Sequence, residues 1–193
     1  QAVVNAVASS WLRPDPLVGG GDVDLTIAGK KGVTLMSDHG LGVYSGLNIG
    51  DSDDNQANIH IKSEDGDVSI LSESNAIHAT VKNDHNTQAA SHIDVSGANV
   101  NVVSRNGTAV LLARNATVNV GTNKDQGVVQ ISGKELAADV GHGSRLTIGN
   151  GTNDTTIQLS GRINVADGGT VTVEDKTTTV IDADSLGTNA LVS

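Results

Sequence analysis

The sequence of 193 residues contains no cysteine and no phenylalanine, and it has one tryptophan, one tyrosine and two prolines. Without cysteine the chain has no disulfide framework, no thiol nucleophile and no thiolate metal site. An ordinary globular domain of this size fills a thick core with aromatic side chains, whereas this chain must bury Val, Ile, Leu and Ala instead. These absences favour a thin core, such as that of a narrow β-solenoid.

Basic residues are also scarce, because 12 Lys and Arg face 22 Asp and Glu and leave a formal net charge of −10. Binding to nucleic acid depends on clustered Lys and Arg that neutralise phosphates, so we expect no nucleic acid partner. The same charge disfavours docking on anionic lipid. The chain also lacks a long uninterrupted apolar run, so we expect no direct insertion of this segment into a membrane.

Short runs in which apolar and polar residues alternate recur along the chain. Alternation with a period of two indicates strands that bury one face. Gly, Asn, Asp or Ser bounds most of these runs, as is typical of strands separated by turns. The clearest runs are residues 23–27, 58–61, 67–70, 93–95, 99–102, 146–148 and 171–173.

A sequence repeat links two parts of the chain with one fixed separation. Residues 118–121 match 146–149, and residues 129–133 match 157–161 at the same separation. A period of about 28 residues indicates a solenoid or an array. The same register matches Ala138 and Asp139 with Ala166 and Asp167, and Gly141 with Gly169. The pattern of residues 118–121 occurs again at residues 47–50, and that of residues 129–133 occurs again at residues 93–97.

Three strand-like pieces, 118–120, 128–132 and 136–140, fall within one period. A propeller blade would need four strands in a longer repeat, and a sandwich would show hairpin signals instead of a fixed register. We therefore predict an all-β fold, a three-sided parallel β-helix over residues 22–193. Roughly six or seven coils, spaced by about 4.8 Å, would form a rod of roughly 30 Å.

Residues 1–21 differ from the rest of the chain. Val3, Val7 and Trp11 form an apolar stripe with helical spacing, which Pro14 and Pro16 would end. The sequence predicts an amphipathic helix or an irregular segment that caps the first coil. A flexible tail or a piece of a preceding domain is the alternative.

The alternation also assigns side chains to the inside or the outside of the coils. Asn119→Asp is expected to be tolerated, because Asn119 is predicted to face outward. The predicted inward residues are Leu47, Ile49, Val118, Val120, Leu146 and Ile148, and the predicted outward polar ladder consists of Asn48, Asn119, Thr147, Gln130 and Gln158, the last two stacked one coil apart.

The repeated unit is [Leu/Val]-x-[Ile/Val]-Gly, a turn rich in Asn and Asp, and then [Ile/Val]-x-[Ile/Leu]-Ser-Gly. It resembles the passenger repeats of type V autotransporter adhesins of Gram-negative bacteria, most clearly at residues 47–54 and 146–154. The resemblance implies a right-handed β-helix stalk, export across the outer membrane through a C-terminal barrel, and display at the bacterial cell surface. This chain would be a segment of such a passenger.

The sequence carries little that indicates catalysis. The six histidines form no metal-binding helix motif, so His60 and His92 are predicted to face solvent. Asp clusters such as Asp65 and Asp67 are typical of turns. We therefore expect no catalytic residue, no metal and no cofactor. An enzyme that cleaves polysaccharides is the alternative, although one Trp and one Tyr provide few aromatic platforms for sugar rings.

The remaining function is binding through the outer surface of the rod. We expect a non-enzymatic adhesin that meets a host or bacterial surface glycan or protein, or another copy of itself, through many weak hydrogen bonds. A passive stalk is the other alternative. Loops on solenoids often carry contacts, and the largest predicted polar loop contains Lys82, Asn83, Asp84, His85, Asn86 and Gln88.

Overall fold

The structure, a computed structural model, describes residues 4–9, 22–48, 56–81, 90–174 and 177–181. This part of the chain is all-β, without a helix, and so without one that could span a membrane. The strands are β1 (Val4–Ser9), β2 (Val23–Gly29), β3 (Gly32–Ser37), β4 (Val43–Asn48), β5 (Gln56–Ser63), β6 (Asp67–Ser72), β7 (Ile77–Val81), β8 (Ala90–Gly97), β9 (Val100–Ser104), β10 (Thr108–Arg114), β11 (Ala116–Thr122), β12 (Gly127–Val140), β13 (Arg145–Ile148), β14 (Thr155–Val165), β15 (Thr170–Val173) and β16 (Thr177–Ile181).

The strands form parallel sheets in which the chain returns beside itself. One sheet, here called row I, has the order β2-β5-β8-β11-β13-β15. The other sheet contains two rows that are joined because β12 and β14 are long and contribute to both. Row II consists of β3, β6, β9, the first halves of β12 and β14, and β16; row III consists of β1, β4, β7, β10 and the second halves of β12 and β14.

Each coil passes through rows I, II and III in that order and then starts again in row I. The length of chain in one coil varies, because Val4 pairs with Val43, whereas Thr155 pairs with Thr177 after a much shorter return. The rows keep their strand pairing while the turns between them change length. This arrangement agrees with a solenoid and places equivalent strands of successive coils side by side.

The core is the stack of inward side chains. Val118 pairs with Leu146 and Val120 with Ile148, and all four are at most 1% exposed, so their predicted inward orientation is confirmed. Row II repeats the arrangement, with Val129 on Ile157 and Ile131 on Leu159. Branched aliphatic side chains of similar size suit the even spacing of parallel coils. Further core residues of this type include Ile59, Ile61, Val68, Ile70, Ile77, Ile93, Val95, Val100, Val102, Val110, Leu112, Val140 and Ile163.

Two of the predicted repeats are wrong, because the segments that they relate lie in different rows. Leu47 and Asn48 belong to β4 in row III, whereas their expected counterparts, residues 118–121 and 146–149, lie in row I. Residues 93–97 belong to row I, not to row II with residues 129–133. All three rows require the same inward and outward alternation, so a short motif cannot identify its row. Ile49 lies outside the described residues.

The fixed register of the repeat also ends earlier than predicted. Ala138 pairs with Ile163 and Asp139 with Asn164, instead of Ala166 and Asp167. The shift lies where β12 bends from row II into row III, between Ser132 and Ala138. β12 is longer than β14, and its additional residues are accommodated at this bend.

The N-terminal prediction of a helix is wrong for the residues that the structure describes there. Residues 4–9 form β1, which pairs in parallel with β4. Val4 is 6% exposed, and its amide donates a hydrogen bond to the carbonyl oxygen of Gly42 at 3.1 Å. An unpaired strand edge offers hydrogen bonds that outweigh the helical spacing of three apolar residues. Residues 10–21 lie outside the described part of the chain.

Polar side chains at the turns connect successive coils. Asp67 Oδ1 accepts hydrogen bonds from the backbone and side-chain amides of Asn99, at 3.2 and 2.9 Å, and Asn99 Oδ1 accepts one from the Val128 amide at 2.9 Å. Asp22 Oδ1 similarly accepts one from the Gln56 amide at 2.9 Å. These two aspartates therefore bond to the next coil, and not to the nearby backbone as the predicted role of Asp in turns implies.

Substitution of an inward residue tests this arrangement. Ile148→Asp is expected to lower the free energy of unfolding by about 3–5 kcal/mol, because it places an unpaired charge in the dry core. Thr147→Asp, one position away on the outside of β13, is expected to cost less than about 1 kcal/mol. Urea denaturation followed by circular dichroism measures both variants, and equal losses would contradict the assignment of the two faces.

Candidate functional site

The outer face of row I carries polar side chains that are aligned from coil to coil. Its central column, here called the polar column, consists of Thr26, His60, Asp94, Asn119, Thr147 and Thr172, which pair in that order. The adjacent column on the same face consists of Asp24, Asn58, His92, Thr117, Arg145 and Thr170.

Four of these side chains meet around Asp94 and are here called the His–Asp cluster: His60, His92, Asp94 and Asn119. Asp94 Oδ1 lies 2.8 Å from His92 Nε2 and accepts a hydrogen bond from Asn119 Nδ2 at 2.9 Å. Its other oxygen, Oδ2, lies 3.0 Å from His60 Nδ1. Both carboxylate oxygens are therefore engaged, and one aspartate connects three successive coils.

The geometry also indicates the proton on His92. Asn119 Nδ2 lies 3.1 Å from His92 Nε2, and an amide nitrogen can only donate. Since Asp94 Oδ1 can only accept, the arrangement in which both His92 Nε2 and Asn119 Nδ2 donate to it satisfies all three groups. The imidazole nitrogen and the amide are then neighbours that share one acceptor.

The cluster is half-buried, with exposed side-chain fractions of 40% for His60, 35% for His92 and 36% for Asp94. The hydrogen bond to Asp94 raises the pKa of His92 above its ordinary value of 6.5, and the opposite charge adds to this effect, although partial burial opposes it. Burial acts to raise the pKa of Asp94, but hydrogen bonds from His92 and Asn119 and the charges of the two histidines together lower it.

A shallow trough runs beside the polar column towards row II. One part, of about 390 Å³, is lined by Lys30, Lys62, Glu64, Ser96 and Asn123 among others. The next, of about 220 Å³, shares Ser96 and continues past Asn119, Gly121, Gly149 and Asn150. The trough exists because small residues, Ser96, Gly121 and Gly149, follow one another in successive coils.

The predicted outward polar residues fall into three separate places. Asn119 and Thr147 pair in the polar column of row I. Gln130 and Gln158 pair one coil apart on the outside of row II, where both are exposed. Asn48 lies in row III, paired with Ser9, so it does not belong to the same column as Asn119 and Thr147. The predicted loop with Lys82, Asn83, Asp84, His85, Asn86 and Gln88 lies outside the described residues.

The histidines were expected to face solvent, and their convergence on Asp94 was missed. A signal for it exists in the sequence, because His60 is as far from Asp94 along the chain as Asn58 is from His92. The same separation precedes them, from Thr26 to His60. Alignment of the chain with this longer period, instead of the shorter one that relates later coils, would have placed these side chains in adjacent columns.

The chemistry of this face is that of hydrogen bonding. Within the described ranges, no group of three or more His, Asp or Glu side chains is arranged to hold a metal ion. Asp94 directs both oxygens to imidazole nitrogens instead of leaving them open to an ion. The Asn119 amide, the outward threonines and Lys62 provide hydrogen-bond donors and acceptors on this face.

Comparisons of this chain with protein-family models, with curated proteins and with solved structures found no match. A function for the chain must therefore be argued from the faces and grooves that its coils form.

Titration of His92 tests the cluster. Asp94→Asn is expected to lower the pKa of His92 to 6.5 or below, because the hydrogen bond and the charge that raise it are lost while burial remains. The pH dependence of the His92 ring signals in NMR measures this change. Asp24→Asn, on the same face but in contact with Asn58, is the matched control and should leave the titration unchanged. A His92 pKa that is equal in all three proteins would contradict the hydrogen-bond assignment.

The two pKa shifts also predict how stability changes with pH. The folded-state pKa of His92 lies above its ordinary value. Its contribution to the free energy of unfolding is therefore complete below pH 6.5 and is lost as the pH rises through the folded-state pKa. The contribution of Asp94, whose pKa is lowered, is present above pH 3.8 and is lost as the pH falls through its folded-state value. Thermal melting should therefore show that Asp94→Asn is most destabilising, relative to the unsubstituted protein, between pH 3.8 and 6.5.

The expectation that Asn119→Asp is tolerated changes with this geometry. The substitution removes a donor to Asp94 and places a second carboxylate beside Asp94 Oδ1. We expect it to lower the free energy of unfolding by about 1–2 kcal/mol at pH 7. Gln130→Glu, an exposed outward change on row II, is the matched control with the same change in charge. Chemical denaturation at pH 7 measures both, and equal stability of the two variants would contradict the prediction.

Proposed function

We propose that this chain is a segment of a non-enzymatic adhesin, displayed at the bacterial cell surface, that binds a glycan along the outer face of row I. The observation that carries the proposal is the aligned polar column beside a trough whose two adjoining parts meet at Ser96 and whose floor continues through the small residues Gly121 and Gly149. A hydroxyl-rich chain can lie in such a trough and exchange hydrogen bonds with each coil.

For the fold we propose a right-handed, three-sided parallel β-helix. The order of the rows supports three sides, because every full coil contributes a strand, or half of a long strand in β12 and β14, to each row before it returns to row I. The right-handed sense is supported by the geometry of parallel sheets, in which crossover connections between strands are nearly always right-handed. A rod of this kind presents the same face in every coil.

The trough supports a glycan as the ligand. Ser96, Gly121 and Gly149 form the small part of its floor, and Lys62 offers a donor. The side-chain amides of Asn119 and Asn150 each donate one N–H within the protein, to Asp94 and to the carbonyl oxygen of Thr122, and keep a second N–H for a ligand. Each hydrogen bond contributes only about 1 kcal/mol, so affinity depends on contacts repeated over several coils. A flat protein surface would bridge the trough without filling it, whereas a narrow oligosaccharide reaches the floor. Binding of a protein or of a second copy is a separate outcome of the test below.

Two observations support binding without catalysis. Hydrolysis of a glycosidic bond canonically uses two carboxyl groups that flank the scissile bond. The groove of about 590 Å³ at another corner of the molecule is lined by a single carboxylate, that of Glu135. In the trough, Asp94 is engaged by His60 and His92, and the other carboxylate, Glu64, lies 3.9 Å from the Lys30 ammonium.

The proposed export and surface display rest on the sequence. The chain lacks cysteine, which suits a passenger that crosses membranes before it folds, and its repeats resemble those of autotransporter adhesins. Antibody labelling of intact producing cells, before and after treatment with an external protease, tests the location. Labelling that appears only after lysis would contradict display.

An array of neutral glycans and a cell-aggregation assay test the binding. Gly121→Gln should lower affinity at least tenfold, about 1.4 kcal/mol, by filling the trough. The fold should tolerate it, since a Cβ at Gly121 lies 3.5 Å from the backbone of Gly149, an ordinary contact. Thr34→Gln, exposed on row II, is the matched control and should bind like the unsubstituted protein.

The possible results of this experiment separate the alternatives. A loss of glycan binding in Gly121→Gln alone supports the proposal. Aggregation without glycan binding would indicate self-association instead. The absence of both activities in the unsubstituted protein would leave a passive stalk, and shortening of the glycans during incubation would indicate the polysaccharide-cleaving enzyme.

A further inference from the structure

A second groove lies on another part of the molecule, at the corner where the coils pass from row II to row III. It has a volume of about 590 Å³ and opens between the turns that follow β9 and the first halves of β12 and β14. Three basic side chains line it, Arg105, Lys134 and Arg162. They are a quarter of the 12 Lys and Arg in a chain whose formal net charge is −10.

The stacking of the coils brings these cations together, although each is separated from the next in the sequence by the length of a full coil. Ser104 pairs with Gly133, so the residues that follow them, Arg105 and Lys134, stand side by side. Ser132 pairs with Ser160, two positions before Arg162. Arg105 and Arg162 are two coils apart, which corresponds to roughly 10 Å along the rod.

Glycine keeps the floor of the groove open. Gly133 is buried at the corner, and Gly161 follows it one coil later with a φ of 114°. A Cβ on Gly161 would lie 2.6 Å from both the amide nitrogen of Ala137 and the carbonyl oxygen of Gly133, so no other residue fits without a shift of the backbone. Ser132 and Ser160 add hydroxyl groups to the same surface.

The three cations are not equally engaged. Arg105 Nη2 lies 3.5 Å from Asp38 Oδ1 and donates to the carbonyl oxygens of Ser37 and Asp38 at 3.5 and 3.4 Å, which orients its side chain. Lys134 and Arg162 are exposed, and neither forms an ion pair with another residue that the structure describes. Glu135 is the one carboxylate that lines the groove.

We propose that this groove binds an anionic glycan, through sulfate or carboxylate groups that contact Lys134 and Arg162 and sugar hydroxyls that contact Ser132 and Ser160. Guanidinium groups and carboxylate or sulfate groups form charge-assisted hydrogen bonds, which are stronger than neutral ones. The groove lies on a different corner from the row I trough, so its ligand does not depend on the adhesion proposed above.

The rest of the molecule favours a glycan over nucleic acid. Double-stranded DNA carries one charge per roughly 1.7 Å and would extend far beyond a cationic groove of roughly 10 Å. The remaining surface, which is acidic overall, repels such a polymer. A glycan with separated anionic groups places fewer charges against that surface, and its hydroxyls match the serine side chains of the groove.

Isothermal titration calorimetry with a heparin hexasaccharide, and separately with an oligogalacturonate of the same length, tests the proposal. The first probe carries sulfates and the second only carboxylates. The double variant Lys134→Gln/Arg162→Gln should weaken binding about fivefold to tenfold, as expected for two exposed charge pairs. Glu135→Gln should strengthen binding, because it removes the carboxylate that repels the ligand.

The double variant Lys31→Gln/Lys124→Gln is the matched control, since it removes two exposed cations that line neither groove and leaves the same net charge. It should bind like the unsubstituted protein. Binding of either probe that is weakened only by the groove variant supports the proposal. Equal weakening by both double variants, failure of both probes to bind, equal binding of neutral dextran, or tighter binding of a short DNA duplex would each overturn it. Neutral glycan arrays and aggregation address the row I trough separately, so failure there does not affect this result.

Discussion

The parallel pairing of each coil with the coils above and below is the constraint on which the rest of the structure depends. Backbone hydrogen bonds set the spacing at about 4.8 Å, and every inward side chain must then fit directly on its equivalent in the next coil. Val118 on Leu146 and Val129 on Ile157 satisfy this requirement with branched side chains of similar volume. Branched aliphatic side chains stacked in this way fill the interior of the described coils, so the chain forms this core without phenylalanine.

The same constraint determines the outer surface. Residues that are distant in the sequence, such as His60, Asp94 and Asn119, come into contact only because the strands that carry them are paired. Turns that follow equivalent strands likewise bring Arg105 and Lys134 together at one corner. Functional groups in this molecule therefore arise from column and corner positions, and their separation in the sequence reflects the length of each coil.

The period-two strands, their parallel stacking and the inward direction of four side chains could be predicted from the sequence: Val118, Val120, Leu146 and Ile148. A strand that buries one face alternates apolar and polar residues, and this alternation is visible in the sequence. The sequence was insufficient for the row to which a strand belongs. Leu47 and Val118 have similar neighbours, yet they lie in rows III and I, because all rows bury the same kinds of side chain. The bend in β12 and the pairing of β1 depend on contacts between distant strands, which local patterns do not contain. The predicted polar ladder was divided between rows for the same reason, while the His–Asp cluster became visible only once the coil length around it was known.

Stacking also limits which charges can occupy an outer column. Like charges in adjacent coils repel one another, and the polar column avoids this cost because the carboxylate of Asp94 lies between an imidazole, that of His60, and a neutral amide, that of Asn119. At the corner between rows II and III, Arg105 and Lys134 stand in adjacent coils, and Arg162 follows in the next. Asp38 offsets the charge of Arg105, but the structure provides no comparable partner within its described residues for Lys134 or Arg162. The repulsion between them is therefore offset only in part, by solvent and by the nearby Glu135. An anion in the groove would lower this repulsion, so the stacking that places these cations side by side is also what favours the proposed binding.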